Sequence, residues 1–337
     1  MAGLYEFLTV SALTMVAFLL GGALSRSQMR RRGRQIVIIS LAVVILTLLF
    51  VAGGLMALGV APVIALLLAG IATATDPAAT QDVIDQSRAD GGFAQTLRGI
   101  VAIDDAWGLI VFSLVLIIAN MMAGNGSLLP LQHGAWELAG ALIVGAATGF
   151  PAAFLTGRLR PGEPIQTEAL AIVFLCAGLA VWLKVSFLLA GIVAGMIVVN
   201  FAKHHTRAFH EIERIEWPFM ILFFFLAGAS LQIDRWREFS AVGAAFIVLR
   251  IFSRIVGGWM GGTLSDAPTV HRRWIGFALL PQAGVAIGMA LVAGDHFPEL
   301  RQTLLTTTIG TTIAFEIFGP IATRIALDKA GESHDRE

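Results

Sequence analysis

The segment Ala72–Thr80, ATATDPAAT, interrupts an apolar run that is otherwise long enough to span a lipid bilayer. Pro77 lacks an amide hydrogen and disfavours helical geometry at Asp76, the residue before it. Non-helical backbone at membrane depth is tolerated only where protein buries it or where it lines a cavity. The segment therefore predicts a broken membrane helix, with Asp76 where the dipole of the second half-helix favours a carboxylate. A simple N-cap on a proline-kinked helix is the alternative role for Asp76, and the two roles are compatible.

The composition around this segment is that of an integral membrane protein. Hydrophobic residues make up 57% of the 337 residues and charged residues 14%, and the mean hydropathy is +0.80. A soluble domain carries about a quarter charged residues. The formal net charge of zero gives no indication of a nucleic-acid partner. Apolar runs of roughly 17–25 residues predict eleven membrane spans, at Tyr5–Leu24, Gln35–Leu58, Ala61–Thr80, Gly99–Met122, Ala135–Gly157, Glu168–Leu183, Val185–Phe201, Trp217–Leu231, Phe239–Met260, Trp274–Ala293 and Leu304–Ala326.

The basic residues predict the orientation of these spans. The first connection, RSQMRRRGR at Arg26–Arg34, holds five arginines. If it is cytoplasmic, most other lysines and arginines fall in connections on the same side, as the positive-inside rule requires. We therefore expect a multi-pass protein of the inner (plasma) membrane, with its N-terminus outside and its C-terminus in the cytoplasm.

A second interruption lies in Leu279–Gly288, LLPQAGVAIG, where Pro281, Gln282 and Gly284 break the tenth span. The third and tenth spans are each the middle member of a triplet, formed by spans two to four and nine to eleven. Broken segments in corresponding positions of two halves point to a binding site at a repeat interface. Because each triplet has an odd number of crossings, the two are expected to insert with opposite topology.

Six ionisable residues are expected at membrane depth, where such residues usually line an ion pathway or pair with one another. They are Asp76, Asp104, Asp105, Arg250, Arg254 and Glu316. Asp104 and Asp105 are neighbours in VAIDDAWGLIVF, and neighbours on a helix point about 100° apart. One can therefore face a basic partner while the other faces a water-filled site. A purely structural salt bridge is the alternative, although it needs only one acid.

Arg250 and Arg254 lie one helical turn apart and share a face. Arginine stays charged when buried, so each is expected to pair, with Asp104 and Glu316 as the available acids. The sequence leaves open which arginine pairs with Asp104. Snorkelling to the membrane surface is the alternative for Arg250.

Four stretches together resemble the bacterial monovalent cation:proton antiporters. They are TDPAA, IDDAW, SRIVGG and GFALLPQAGVAIGMALVA, in this order along nearly the whole chain. The resemblance implies an all-α fold with two inverted three-helix repeats whose broken helices cross near an ion site. It implies an elevator-like motion of this core against a second domain that holds the contact of a homodimer. No cofactor is expected.

The resemblance also implies roles for individual residues. Asp105 matches the carboxylate that binds the cation or the proton, and Asp104 matches the acid that pairs with a basic residue on the ninth span. Arg254 matches that basic residue, and Thr75 and Asp76 match the broken-helix motif. Thr75, with Asp105, would supply hard oxygen ligands to the monovalent cation.

The resemblance implies the following division of the chain into domains. Residues 1–34 hold the first helix and a basic inner loop, and 135–157 form a linker helix. Residues 158–231 belong to the scaffold and dimer domain, together with 1–34. The core repeats are 35–122 and 239–326, and 327–337 form a cytoplasmic tail.

The chain departs from the family in two respects. Members commonly have thirteen spans, whereas eleven are predicted in this sequence, without counterparts of the first two. Whether these two are truly absent or truncated stays open, and so does the dimer interface. Members with two adjacent aspartates often have lysine on the partner helix and tend to be electrogenic, whereas members with Asn-Asp tend to have arginine and to be electroneutral. This chain combines Asp104–Asp105 with Arg254, so the sequence does not predict the proton stoichiometry.

The expected function is therefore the exchange of sodium, potassium or lithium for protons by alternating access. The protein is not expected to be an enzyme. A sodium-coupled symporter of a small organic anion on a related inverted-repeat fold is the alternative. An intramembrane aspartyl protease is disfavoured, because adjacent aspartates on one helix cannot face each other.

Overall fold

A computed structural model describes residues 24–123, 129–156, 165–202, 241–282 and 284–333, together with scattered positions within 7–22 and 209–221. Every regular element in these ranges is helical, which confirms the all-α fold class. The predicted first and eighth spans, Tyr5–Leu24 and Trp217–Leu231, lie largely outside the described residues.

The described helices follow the predicted spans closely, with both broken spans divided in two. They are α1 Arg26–Ala57, α2 Pro62–Ala72, α3 Pro77–Gln86, α4 Gly92–Met122, α5 Leu129–Thr156, α6 Ile165–Trp182, α7 Phe187–Phe201, α8 Ala241–Leu264, α9 Thr269–Ala278, α10 Gly284–His296 and α11 Arg301–Lys329, with a 3-10 turn at Pro298–Leu300.

Several helices begin earlier than the hydropathy of their sequences predicts, and the difference is largest for α1 and α4. Helix α1 starts at Arg26 rather than Gln35, so the arginine-rich connection is helical and not a loop. Helix α4 starts at Gly92 rather than Gly99. The Glu332 carboxylate accepts hydrogen bonds from the backbone amides of Phe93 and Ala94 at 2.7 and 2.9 Å. These amides have no partner within the helix, so a distant acid stabilises the polar start of α4.

The short division between α6 and α7 is confirmed at Lys184. This residue has a φ of 55°, which is the left-handed region that ends a helix. The Ser186 side chain then accepts a hydrogen bond from the amide of Leu189 and caps α7. A polar side chain is thus bonded at the start of the new helix.

Five described stretches are long and apolar enough to cross a bilayer by length and composition. They are Met29–Ala57, Pro62–Gln86, Leu138–Leu155, Ala241–Leu264 and Pro298–Lys329, and four shorter apolar helices accompany them. The chain is therefore a multi-pass membrane protein.

The chain divides into two units. The first comprises Met1–Arg31 and His133–Leu231, and the second comprises Arg32–Gln132 and Gln232–Glu337. Both broken helices belong to the second unit. The predicted core repeats 35–122 and 239–326 also fall within it, while their roles and their repeat symmetry stay predictions.

The second unit contains an apolar core that continues through both triplets of helices. It includes buried side chains from α1, α2, α4, α8, α10 and α11, among them Leu55, Leu68, Phe112, Phe246 and Met289. Helix α9 approaches α8 closely at Gly276, where a side chain would collide with the backbone carbonyl of Arg254. The lack of a side chain at Gly276 lets the backbone of the second broken helix lie directly against the arginine-bearing helix.

Candidate functional site

The two interruptions meet inside the second unit. The first consists of Thr73–Asp76, between α2 and α3, and the second of Leu279–Gln282, between α9 and α10. The backbone amide of Asp76 donates a hydrogen bond of 3.1 Å to the carbonyl oxygen of Pro281. We call these two segments together the junction. Because both break the helical hydrogen-bond ladder, each exposes carbonyl groups that need donors from elsewhere.

Asp76 caps α3 from within the junction. Its backbone is extended, and its Oδ1 atom accepts hydrogen bonds from the amides of Ala78 and Ala79 at 2.9 and 3.1 Å. Two threonines satisfy backbone groups beside it: Thr80 donates to the Asp76 carbonyl and Thr73 to the Gly70 carbonyl, both at 2.7 Å. The predicted cap is therefore present, and it uses only one of the two carboxylate oxygens.

Arg254 pairs with Asp104 in the interior of the second unit. The Nη1 atom of Arg254 lies 3.1 Å from Oδ2 of Asp104, and both side chains are 0% exposed. The hydroxyl of Ser40, on α1, donates to the other carboxylate oxygen of Asp104. A buried ion pair needs its remaining lone pairs satisfied to offset desolvation, and Ser40 does this for Asp104. Sequence reasoning did not identify Ser40, since a serine in an apolar helix carries no distinctive signal.

Arg254 also holds the first interruption. Its Nη2 atom donates to the carbonyl oxygens of Ala72, Thr73 and Ala74 at 3.1, 2.6 and 3.2 Å. The guanidinium thus connects the Asp104 carboxylate to three backbone carbonyls at the end of α2. A planar group with five N–H donors is suited to this arrangement, whereas a lysine ammonium is not.

Arg250 bonds differently from the sequence-based expectation, which gave it a carboxylate partner or a path to the membrane surface. It is 0% exposed, and its four hydrogen bonds go to backbone carbonyls of both interruptions. The acceptors are Ala72 at 3.1 Å, Ala74 at 2.8 Å, Leu280 at 2.7 Å and Pro281 at 3.4 Å.

The Phe315 ring supports the same arginine, with the Arg250 guanidinium carbon 4.2 Å from the ring centroid, a cation–π contact. Two broken helices expose enough carbonyl dipoles to satisfy a buried guanidinium without an acid. The two interruptions are evident in the sequence, but the pairing of Arg250 with the carbonyl groups that they free is not.

The predicted pairing of Glu316 with an arginine is likewise not observed. Within the described residues no ion pair joins Glu316 to Arg250 or Arg254. Both guanidinium groups already bond to Asp104 or to the junction carbonyls, which explains why they do not reach Glu316. Glu316 itself is half-buried on α11.

Several buried polar atoms at the junction have no hydrogen-bond partner among the residues that the structure describes. They are Oγ1 of Thr75, Oδ2 of Asp76 and both amide atoms of Gln282. These three side chains are at most 2% exposed. Buried polar groups nearly always find a partner, and an exception in a native structure points to a water or an ion. Thr75, Asp76 and Gln282 therefore offer oxygen atoms that suit a small cation.

Asp105 follows Asp104 on α4, and its side chain lies outside the described residues. Its backbone is helical, so its Cα–Cβ direction is rotated about 100° from that of Asp104. Asp104 is committed to Arg254 and Ser40.

Two further threonines on α11 were not identified from the sequence. The Oγ1 atoms of Thr308 and Thr312 are buried without a hydrogen-bond partner. They lie at four-residue spacing with Glu316, and this spacing places polar groups on neighbouring turns of one helix. The four-residue spacing with Glu316 could have indicated these two threonines in the sequence. It is hard to distinguish there, because Thr303–Thr312 contains many threonines.

Comparison with known proteins agrees with this architecture. The family model described as "Sodium/hydrogen exchanger, transmembrane" matches residues 4–329. A structure of the sodium proton antiporter MjNhaP1 from Methanocaldococcus jannaschii at pH 8 superposes with a TM-score of 0.66 at 19% identity, covering 95% of this chain and 82% of that one. An electron-microscopy structure of the same antiporter gives a TM-score of 0.73 at 18% identity, covering 96% and 85%. None of the curated proteins matches the chain. The match of the family model over nearly the whole sequence shows that the chain belongs to the sodium/hydrogen exchanger family.

Proposed function

We propose that the protein exchanges a monovalent cation for protons across the membrane. The observation that carries this proposal is the set of unpaired buried oxygens at Thr75 and Asp76, in a junction of two broken helices. Family membership and the fold of a sodium proton antiporter support it.

Asp105, Thr75 and Asp76 form the proposed cation site. Thr75 and Asp76 bring an unpaired hydroxyl and an unpaired carboxylate oxygen to the junction, and Asp105 supplies a second negative charge from α4. Hydroxyl, carboxylate and backbone carbonyl oxygens are hard ligands that suit alkali cations better than transition metals.

Exchange follows from competition for Asp105. A proton and a small cation each neutralise the same carboxylate, so they are mutually exclusive occupants. An occupied neutral site crosses the apolar interior at far lower cost than an empty charged one. Obligatory occupancy thereby couples the movement of the cation to that of the proton in the opposite direction.

Asp104 and Arg254 have a different role in this proposal. Arg254 lies 3.1 Å from Asp104 and Ser40 bonds to the same carboxylate, so Asp104 neutralises the arginine in this proposal and does not exchange ions. Arg254 and Arg250 hold the junction by its carbonyl groups. The two arginines thus position Thr75 and Asp76 and balance negative charge at the junction.

The conformational step is proposed to be an elevator movement of the second unit, which holds the ion site, against the first. The first unit, Met1–Arg31 and His133–Leu231, would carry the contact of a homodimer. We propose that the N-terminus lies outside and the C-terminus in the cytoplasm of the inner membrane, as the arginine-rich start of α1 indicates.

The alternative of an organic-anion symporter is disfavoured by the arginines. A symporter of this kind needs a cationic or polar group to hold the substrate carboxylate. Within the described residues both membrane-buried arginines direct their donors to Asp104 and to the junction carbonyls. Neither guanidinium is free to bind an anion.

The proposed function is tested by dissipation of an imposed pH gradient in proteoliposomes. Sodium, potassium, lithium and choline chloride are added in turn, with and without a clamped membrane potential. We expect proton flux with at least one alkali cation and none with choline. Asp105→Asn is expected to abolish this flux while the protein still folds and inserts, with Glu299→Gln, an exposed residue, as the matched control. Equal flux in Asp105→Asn and wild type would remove Asp105 from its assigned role.

A further inference from the structure

Helix α11 lies directly against the second interruption. The Thr323 hydroxyl donates to the carbonyl of Ala278 at 3.1 Å. One turn earlier, a Cβ built on Gly319 would lie 2.6 Å from the Cα atom of Pro281. The later residue of α11, Thr323, thus lies beside the earlier residue Ala278, and the earlier residue Gly319 lies beside the later residue Pro281. The two segments therefore run antiparallel.

This register places Glu316 at the junction. Glu316 precedes Gly319 by about 4.5 Å along the helix axis, which puts it level with Gln282 and the start of α10 at Gly284. The neighbouring Phe315 lies against Arg250, the arginine that bonds to both interruptions. Asp76 is bonded to Pro281. The antiparallel register and the contact between Phe315 and Arg250 thus agree on the position of Glu316.

The N-terminus of the half-helix α10, at Gly284, lies at this level, and a negative charge there is favourable. The N-terminus of a helix carries a partial positive charge. Asp76 complements that charge on α3, and its carboxylate binds the first amides. The residue before α10 is Ala283, which has no side-chain oxygen, and the first turn of α10 contains no acid. By its register, Glu316 is an acid of the neighbouring helix α11 at the level of this N-terminus.

Glu316 differs from Asp104 in having no arginine partner among the described residues. At the same level of the junction, Gln282 is 0% exposed, and neither of its amide atoms has a hydrogen-bond partner among the described residues. Oδ2 of Asp76 is also unpaired. A carboxylate at membrane depth without a fixed counter-charge needs a mobile positive ion to neutralise it.

We propose that Glu316, with Asp76 and Gln282, forms a second subsite at the junction that binds a monovalent positive ion, either the exchanged cation or a proton. This inference rests on the proposed exchange function and deepens it. The site then holds two exchangeable carboxylates, Asp105 on α4 and Glu316 on α11. Gln282 supplies the polar amide of this subsite, and the unpaired Oδ2 atom of Asp76 adds a further oxygen ligand for the positive ion.

The first test measures binding without transport. The purified full-length protein in detergent is titrated with sodium, potassium or lithium chloride in weakly buffered solution, and the midpoint and the protons released per bound cation are recorded. If the subsite holds the cation, Glu316→Gln is expected to raise the midpoint at least tenfold with proton release unchanged. If it holds a proton, proton release is expected to fall by about one while the midpoint stays within twofold. Glu299→Gln, which removes an exposed carboxylate, is expected to match wild type.

A midpoint and a proton release in Glu316→Gln equal to those of wild type would overturn the subsite. Should this variant fail to fold, Glu316→Asp keeps the charge and moves it by one methylene, and a midpoint and a proton release both equal to those of wild type would overturn the subsite as well. Proteoliposome flux separates the two proposals. Flux in wild type with an unchanged titration in Glu316→Gln contradicts the subsite alone. A changed titration without any cation-driven flux in wild type contradicts the exchange function alone.

Discussion

The backbone amide of Asp76 is hydrogen-bonded to the carbonyl oxygen of Pro281, so the two interrupted helices are joined directly at 3.1 Å. Arg250 bonds to carbonyls on both sides of this contact, and Arg254 adds the Asp104 carboxylate to it. The site is therefore one hydrogen-bonded assembly. A change in either arginine is expected to affect both interruptions.

Arg254→Ala is expected to destabilise the protein by about 3–5 kcal/mol, because it leaves Asp104 buried without its counter-charge. Asp104→Asn in the same molecule is expected to recover only part of this loss, since the carbonyls of Ala72, Thr73 and Ala74 still lack their donor. The free energy of unfolding in mixed micelles measures both effects. An Arg254→Ala variant as stable as wild type would contradict the pairing.

Arg250→Ala is expected to lose at least about 3 kcal/mol, because several buried carbonyls lose a donor at once. Arg250→Lys is expected to recover little, since one ammonium cannot reach carbonyls of both interruptions. Unlike the loss in Arg254→Ala, this loss is not expected to be reduced by Asp104→Asn. A double-mutant cycle that showed strong rescue would mean that Arg250 is held by the acid rather than by the backbone.

Ser40→Ala is expected to cost about 1.5–3 kcal/mol, the range for a hydrogen bond to a charged group. Ser253→Ala is the matched control, because the buried Ser253 hydroxyl bonds only to uncharged partners, Thr47 and the carbonyl of Arg250. The control is expected to cost about 0.5–1.5 kcal/mol. Equal costs in the two variants would show that Ser40 does not stabilise an ionised Asp104.

His271 is expected to make the stability of the second unit depend on pH. It lies outside the stretches long and apolar enough to cross the bilayer, with its ring edge-on to Phe93 at 5.2 Å. Burial lowers the pKa of His271 below its ordinary value of 6.5, and the nearby Glu332 carboxylate offsets only part of this effect. The folded state therefore binds the proton less readily than the unfolded state, so this contribution is complete above about pH 6.5 and decreases as the pH falls towards the lowered pKa.

His271→Gln is the variant that tests this pH dependence. Its melting temperature is expected to fall less than that of wild type between pH 7.5 and pH 5.5. Parallel decreases in the two proteins would contradict the assignment to His271. Glu332→Gln distinguishes a loss of the helix cap from a loss of the histidine effect, because it weakens the start of α4 at both pH values.

The membrane class, both interruptions and the buried acids and arginines were predictable from the sequence. Proline and glycine break a helix through local chemistry, and a charge in an apolar run is visible without any structure. The start of α4 at Gly92 was not predictable in this way. It depends on Glu332, which lies 239 residues from Phe93 in the chain.

The partners of the two arginines show the same limit. Their shared face follows from helical spacing, but their acceptors do not. Arg250 bonds to carbonyls that become available only when α2 and α9 both end at one place. Residue spacing within α8 does not show that the ends of α2 and α9 lie together. An acid was therefore expected as the partner of Arg250, which in fact bonds to backbone carbonyls.

The central claim is that a cation and a proton compete for one carboxylate site. The apparent Michaelis constant for the cation, measured in proteoliposomes from pH 5 to pH 9 with both sides clamped, tests it most directly. Competition at one proton per site predicts a constant that rises about tenfold for each unit of pH below the pKa of the site and becomes flat above it. A constant independent of pH over the whole range would contradict the shared site and, with it, the proposed exchange mechanism.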